Sequence, residues 1–232
     1  MPIFQAFNMH DSVLLSLLQL ANPTLPVGAY SYSEGLETLV EQGKITDKSS
    51  LEGWLRDGLR LGSIRLDGAV LIRGWNAMQM QDYPMLRYWN RWLLATRETE
   101  ELRQQTVQMG RSLSLLVQNL EPDLQPVLQE LGPEWSYPLV FAIAANHWQI
   151  SPTDALLAYL QSWVSNLIAA GVKLIPLGQT TGQKLLFELH PQIRAIVPEI
   201  LALEDDNLYS CSWGFALGCM AHETQYTRLF RS

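Results

Sequence analysis

Cys219, His222 and Glu223 are the residues whose types and spacing come nearest to coordination chemistry. Cys219 and His222 are three apart and would share a helix face, with Glu223 beside them, and thiolate, imidazole and carboxylate together suit a transition metal. The plainer reading is a buried thiol and a surface imidazole. The other histidines, His10, His147 and His190, have no histidine three or four residues away. Gly178–Lys184, GQTTGQK, has the look of a phosphate loop. It has three residues between its glycines where four are needed, and Leu185 follows the lysine where Ser or Thr should stand. Asp205 and Asp206 are paired acids in what reads as a solvated turn. No Ser-His-Asp set is legible. The residues thus nominate no catalytic group and no cofactor, and an enzyme finds little support.

The bulk numbers narrow the class further. Of 232 residues, 47% are apolar and 17% charged, a globular composition. The net charge is -7 with no dense basic block, which argues against a nucleic-acid backbone binder. If helical, the segment between Cys211 and Cys219 sets them roughly 12 Å apart, too far for a disulfide. A reducing compartment fits, and the run from Met1 to His10 lacks a signal peptide's basic start, so the cytoplasm is expected. Ala155–Val172 carries no charge, but its Gln161, Ser162, Ser165 and Asn166 favour a buried core helix over a membrane span.

The elements that must position these residues read as helices. Asp11 and Ser12 can cap a helix bearing Val13, Leu14, Leu17 and Leu18; Ser31 and Glu34 have capping-box spacing for a second. Further helices are expected from Ser50, over Leu66–Met80, and from Pro84. A long one carries a stripe of Leu102, Thr106, Met109, Leu113, Leu116 and Leu120. Ser151–Asp154 starts the uncharged helix; GVKLIPLG breaks it. Another run holds Leu185, Leu186 and Leu189, and Pro191 opens one through Leu201. Ser212–Met220 forms the last. Without repeats or linkers, the simplest architecture is one all-α domain of about ten helices spanning residues 1–232.

The tail, HETQYTRLFRS, residues 222–232, is unusual in ending on aromatics and arginines. On a helical projection Tyr226, Leu229 and Phe230 fall on one side, Arg228 and Arg231 on the other. Eleven residues do not hold a helix alone in water. The apolar face must therefore fill a groove, either in this chain's own core or in a partner's.

Four segments carry a resemblance: LLQLANPTLPVGAYSYSEGLE (17–37), ATRETEELR (95–103), AAGVKLIPLGQ (169–179) and the tail. In this order and at these distances, the chain resembles the urease accessory protein F family, UreF, over nearly its whole length. Ala29 stands where many members have a second glycine, and 121–136 matches nothing and reads as a variable loop. The resemblance implies an all-α, non-catalytic assembly factor that binds UreD (UreH in some species), recruits and gates the GTPase UreG, and acts on apo-urease, where nickel is installed. It also implies a homodimer. Nucleotide chemistry would belong to the partner, in keeping with the failed phosphate loop.

Carried onto this chain, the resemblance makes residues 222–232 a partner-docking tail with His222, Glu223, Tyr226, Arg228, Leu229, Phe230 and Arg231 as its residues. Tyr226, Leu229 and Phe230 would be buried anchors, and Arg228 and Arg231 would set register on acids or carbonyls. Lys173 would project toward the GTPase, unless it only caps its helix dipole. Arg97, Glu98, Glu101 and Arg103 would join the partner surface, unless they form an internal ion-pair face. Pro26, Gly28 and Tyr30 shape a turn. A direct nickel carrier using Cys219, His222 and Glu223 is the alternative.

Overall fold

A computed structural model describes residues 9–130, 132 and 134–232; the reading of Met1–Asn8 lies outside them. Among the described residues there are eleven α-helices and no strand. They run α1 (Met9–Leu20), α2 (Leu36–Glu41), α3 (Lys48–Leu61), α4 (Ile64–Gln79), α5 (Tyr83–Ala95), α6 (Glu100–Leu120), α7 (Gln125–Glu130), α8 (Tyr137–His147), α9 (Pro152–Leu174), α10 (Gln179–Leu201) and α11 (Trp213–His222). Short 3-10 turns lie at Ala29–Ser31, Pro122–Leu124 and Asp205–Asn207.

The centre is α8. Pro138 to Ala145 are all buried, and α4 and α6 pack along its two sides. A helix apolar all round has no polar face to mark its period, so pattern reading passes over it. α9 and α10 form the other large pairing, with α3 and α4 against them. Among the described residues α9 alone is long and apolar enough to cross a membrane, and more than half of its apolar eighteen-residue window is buried here.

Local chemistry explains most boundaries. Asp47, not Ser50, caps α3, its carboxylate accepting from Ser50 N–H at 2.8 Å. Thr99 caps α6 and Ser151 caps α9. Two expectations change. Pro191 does not open a separate helix; it and Pro198 both lie within α10. Both are exposed, so the carbonyls they free meet water, while Leu185, Leu189, Ile193, Ile196 and Val197 bury on either side of Pro191. The α6 stripe also drifts. Leu102, Thr106, Met109 and Leu113 are buried, but Val117 continues the face and Leu120 is exposed. A 3.6-residue turn slips against a seven-residue repeat.

Candidate functional site

α11 buries Phe215, Gly218, Cys219 and His222, a helical stripe at i, i+3, i+4 and i+7. Its outer face carries exposed Trp213, Leu217 and Met220. At His222 the helix stops. Residues 223–232 form no helix or strand, so the one-sided projection of Tyr226, Leu229 and Phe230 is not realised. Arg228 bends the chain back, its Nε donating to Gln225 O at 2.7 Å and its Nη2 to Glu223 O at 2.5 Å. A guanidinium gathering carbonyls just past a helix end is favourable there.

The returning tail lies in a clasp of side chains. From α2, Glu37 accepts backbone N–H groups from Leu229 (2.6 Å) and Phe230 (3.0 Å). Thr38 donates its hydroxyl to Gln225 Oε1 at 2.6 Å. From α6, Glu101 faces His222 Nδ1 at 2.7 Å and pairs with Arg228. Glu223 Oε1 accepts the Glu101 N–H, and Gln105 accepts the Ser232 hydroxyl at 2.6 Å. The segment before α2 adds backbone bonds: Arg231 N–H to Ser31 O at 2.8 Å, and Ser33 N–H to Ser232 O at 2.8 Å. Lys173, in the last turn of α9, sets its ammonium 5.5 Å from the Phe230 ring centre, a cation–π contact.

The tail thus divides. Phe230 is 5% exposed and belongs to this chain's own core, whereas Leu229 is 65% exposed and Tyr226 fully so. Arg231 is exposed, and burial raises the pKa of the Tyr32 hydroxyl against the opposing pull of the Arg231 charge. Gly35 makes the close approach of α11 to α2. It sits at φ 79, and a Cβ there would fall 2.7 Å from the Cys219 backbone nitrogen.

Beside the clasp, Glu34, Asp67, Arg97, Gln105, Tyr137 and Tyr159 line a cavity of about 70 Å³. Glu34 is not a capping-box residue. Its φ is 52, and its carboxylate accepts from Gln105 Nε2 (2.7 Å) and Trp163 Nε1 (2.9 Å). Burial pushes this carboxyl's pKa up. Asp67 pairs with Arg97 at 2.7 Å and accepts the Tyr159 hydroxyl at 2.9 Å. Burial raises the Asp67 pKa against the pull of Arg97, and drives the Tyr137 and Tyr159 phenols well up.

The structure brings Lys173 and Glu101 to the tail and spends the other charged residues of 97–103 elsewhere. Arg97 is inside on Asp67; Glu98 accepts from the Ser210 hydroxyl at 3.2 Å; Arg103 pairs with Glu134. Gly28, at φ 78, makes the turn before exposed Tyr30.

His222 is not a surface imidazole. It is fully buried, Nε2 facing Glu37 at 3.3 Å and Nδ1 facing Glu101. Burial and the acids Glu34, Glu98, Glu101 and Glu223 raise the Cys219 thiol well above its ordinary range, against the thiolate that metal binding needs. Among the described residues no group of three or more His, Cys, Asp or Glu has a metal-holding arrangement.

The UreF family model matches residues 45–190 of this chain. Proteins named urease accessory protein UreF align along nearly all of it. That of a Nostoc species is 56% identical over 96% of this chain and 97% of its own length. That of a Synechocystis species is 50% identical over 97% of this chain and all of its own, and that of a Polaromonas species 41% over both whole chains. The chain belongs to the UreF family.

The UreF model's range takes in Glu101, Gln105 and Lys173 but leaves out Ser31–Thr38 and the tail, whereas a full-length UreF relative spans them all. Residue types alone missed Glu37, Thr38, Gln105 and the cavity acids. One signal for Glu37 was available: a lone carboxylate between Leu36 and Leu39 on a short helix that buries both. Polar residues set among core positions need built partners.

Proposed function

We propose that this UreF-family chain is a urease accessory protein acting as a non-catalytic scaffold. It binds UreD (or UreH), recruits and regulates the GTPase UreG, and serves nickel insertion into apo-urease in the cytoplasm, with self-association into a homodimer as part of the same assembly. Its relatives carry the name urease accessory protein UreF.

The observation that carries this reading is the tail's two-sided build. A segment held by its own chain through Phe230, Arg228 and backbone bonds still turns Tyr226 and Leu229 into solvent, and α11 turns out Trp213, Leu217 and Met220. Exposed large apolar groups on a braced frame suit a protein partner, since little ordering is left to oppose docking. Exposed Glu223 and Arg231 supply polar edges, and Lys173 a cation beside the tail.

Co-purification with UreD and UreG tests it. Tyr226→Ala with Leu229→Ser should abolish capture while the far-ultraviolet circular dichroism stays native, because neither side chain is in the core. Undiminished capture overturns the tail as docking element and moves the interface elsewhere on the chain. Tight nickel binding by the isolated chain, lost in Cys219→Ala with His222→Ala, would replace the scaffold by a carrier.

A further inference from the structure

Helix α5 carries two apolar stripes. One buries Leu86, Trp89, Leu93 and Leu94 in the bundle. The other is turned outward: Met85 is 42% exposed, Tyr88 is 54% exposed, and Trp92 is half-buried. These three stand at i, i+3 and i+7, the spacing of a helix face that meets another element. Arg87 and Arg91 run beside them, four residues apart, and with Pro84, Tyr88 and Trp92 they line an open groove. The rings are braced from below. Buried Trp89 meets Tyr88 edge-on with ring centres 5.0 Å apart, meets Trp92 the same way at 5.7 Å, and itself lies under the Arg73 guanidinium at 4.9 Å. Anchors held in place leave less ordering to oppose binding, and Trp, Tyr and Arg are the types that concentrate binding energy.

The sign of this face is opposite to that of the molecule. The chain carries a net charge of -7, yet Tyr83–Ala95 holds two arginines and no acid. Asp82, just before it, is spent on the helix start, its carboxylate accepting the Met85 N–H at 3.0 Å. Arg91 is exposed and has no ion pair among the described residues. A second copy of the chain fits this face poorly. A two-fold contact presents the same patch from both sides, so guanidinium groups would meet guanidinium groups with no carboxylate of the helix between them. An acidic segment fits well: this face attracts it while the surrounding negative surface repels it, which sets where it lands.

We propose that the outer face of α5 is a second docking surface, built for an acidic, apolar-anchored helical segment of a partner protein. Met85, Tyr88 and Trp92 receive its apolar side chains, and Arg91, with Arg87, receives its carboxylates. The surface uses no residue of α2, α11 or the tail, so it stands apart from the docking reading above.

Binding of a designed peptide to the full-length chain, without accessory proteins, tests it. The probe is a dye-labelled helix of about eighteen residues, long enough to hold its shape, with leucines at i, i+3 and i+7 and glutamates beside them. Its control carries lysine in place of every glutamate. Fluorescence anisotropy should show the glutamate peptide binding about tenfold more tightly than the lysine peptide, with the preference shrinking as salt rises. Arg91→Glu should erase or reverse that preference, and Tyr88→Ser should weaken both peptides. Both substitutions lie on the exposed face, so the circular dichroism should stay native. Absent binding, equal affinity for the two peptides, or wild-type binding by both variants overturns the proposal. Two further results also overturn it. One is binding to phosphatidylserine vesicles that both variants lose while peptide binding persists, which would make the face a membrane contact. The other is a self-association, seen by sedimentation, that Tyr88→Ser or Arg91→Glu abolishes, which would make a second copy the occupant.

Discussion

This chain buries acids in two neighbouring places and uses them in opposite ways. In the cavity, Asp67 and Glu34 take their hydrogen bonds from side chains: Arg97 and Tyr159 for one, Gln105 and Trp163 for the other. At the tail, Glu37 takes the backbone itself. Acids that grip side chains brace helices already formed by their own hydrogen bonds. An acid that grips main chain replaces the secondary structure that a segment lacks. The first kind should govern global stability, the second the course of a local segment.

The largest expected break in that contrast is at Arg97. Replacing it by Met leaves Asp67 buried and uncompensated, which should cost about 3–5 kcal/mol. Chemical denaturation would read this, and Asp67→Asn with Arg97→Met should recover part of the loss. A cost near zero for Arg97→Met would mean the cavity pair braces nothing. Smaller is Thr38→Val, which removes one bond to Gln225 and should cost about 1 kcal/mol at most, with amide exchange rising in 223–228 and not in α8. Equal exchange throughout would erase the distinction between brace and clasp.

The smallest effect is a slope. Burial raises the Glu34 carboxyl pKa, so the folded chain holds that proton more tightly than the unfolded chain. Its stabilising contribution is complete below the ordinary glutamate range, about 4.3, and is lost as pH rises through the folded value. Glu34→Gln should therefore flatten the part of the stability–pH curve that falls with rising pH, relative to the unaltered chain. Superimposable slopes would mean that Glu34 is hydrated and not part of the interior set.

Much of the fold was legible because amphipathic helices announce themselves: α3, α5, α6 and α9 begin near their capping residues or prolines. α8 was not, since a helix buried on every side has no contrast to read, and Pro191 misled because a proline's local cost says nothing about the packing on both sides of it. At the site, the tail and Lys173 stood out by type and resemblance. Their convergence with Glu37, Thr38 and Gln105 could not, because partners 127 to 193 residues apart meet only through the fold. Helical spacing also assigned Phe230 to the same face as Tyr226, where an extended turn divides them.

The unequal seating of the two cysteines has a practical consequence. Cys211 is exposed in the strand of loop leading to α11, its N–H on Leu61 O at 2.9 Å, while Cys219 is sealed beneath that helix. A maleimide dye should therefore couple at Cys211 alone without any cysteine having to be removed. That would place a fluorescent reporter at the foot of the helix that carries the tail, where a partner's arrival should change its anisotropy.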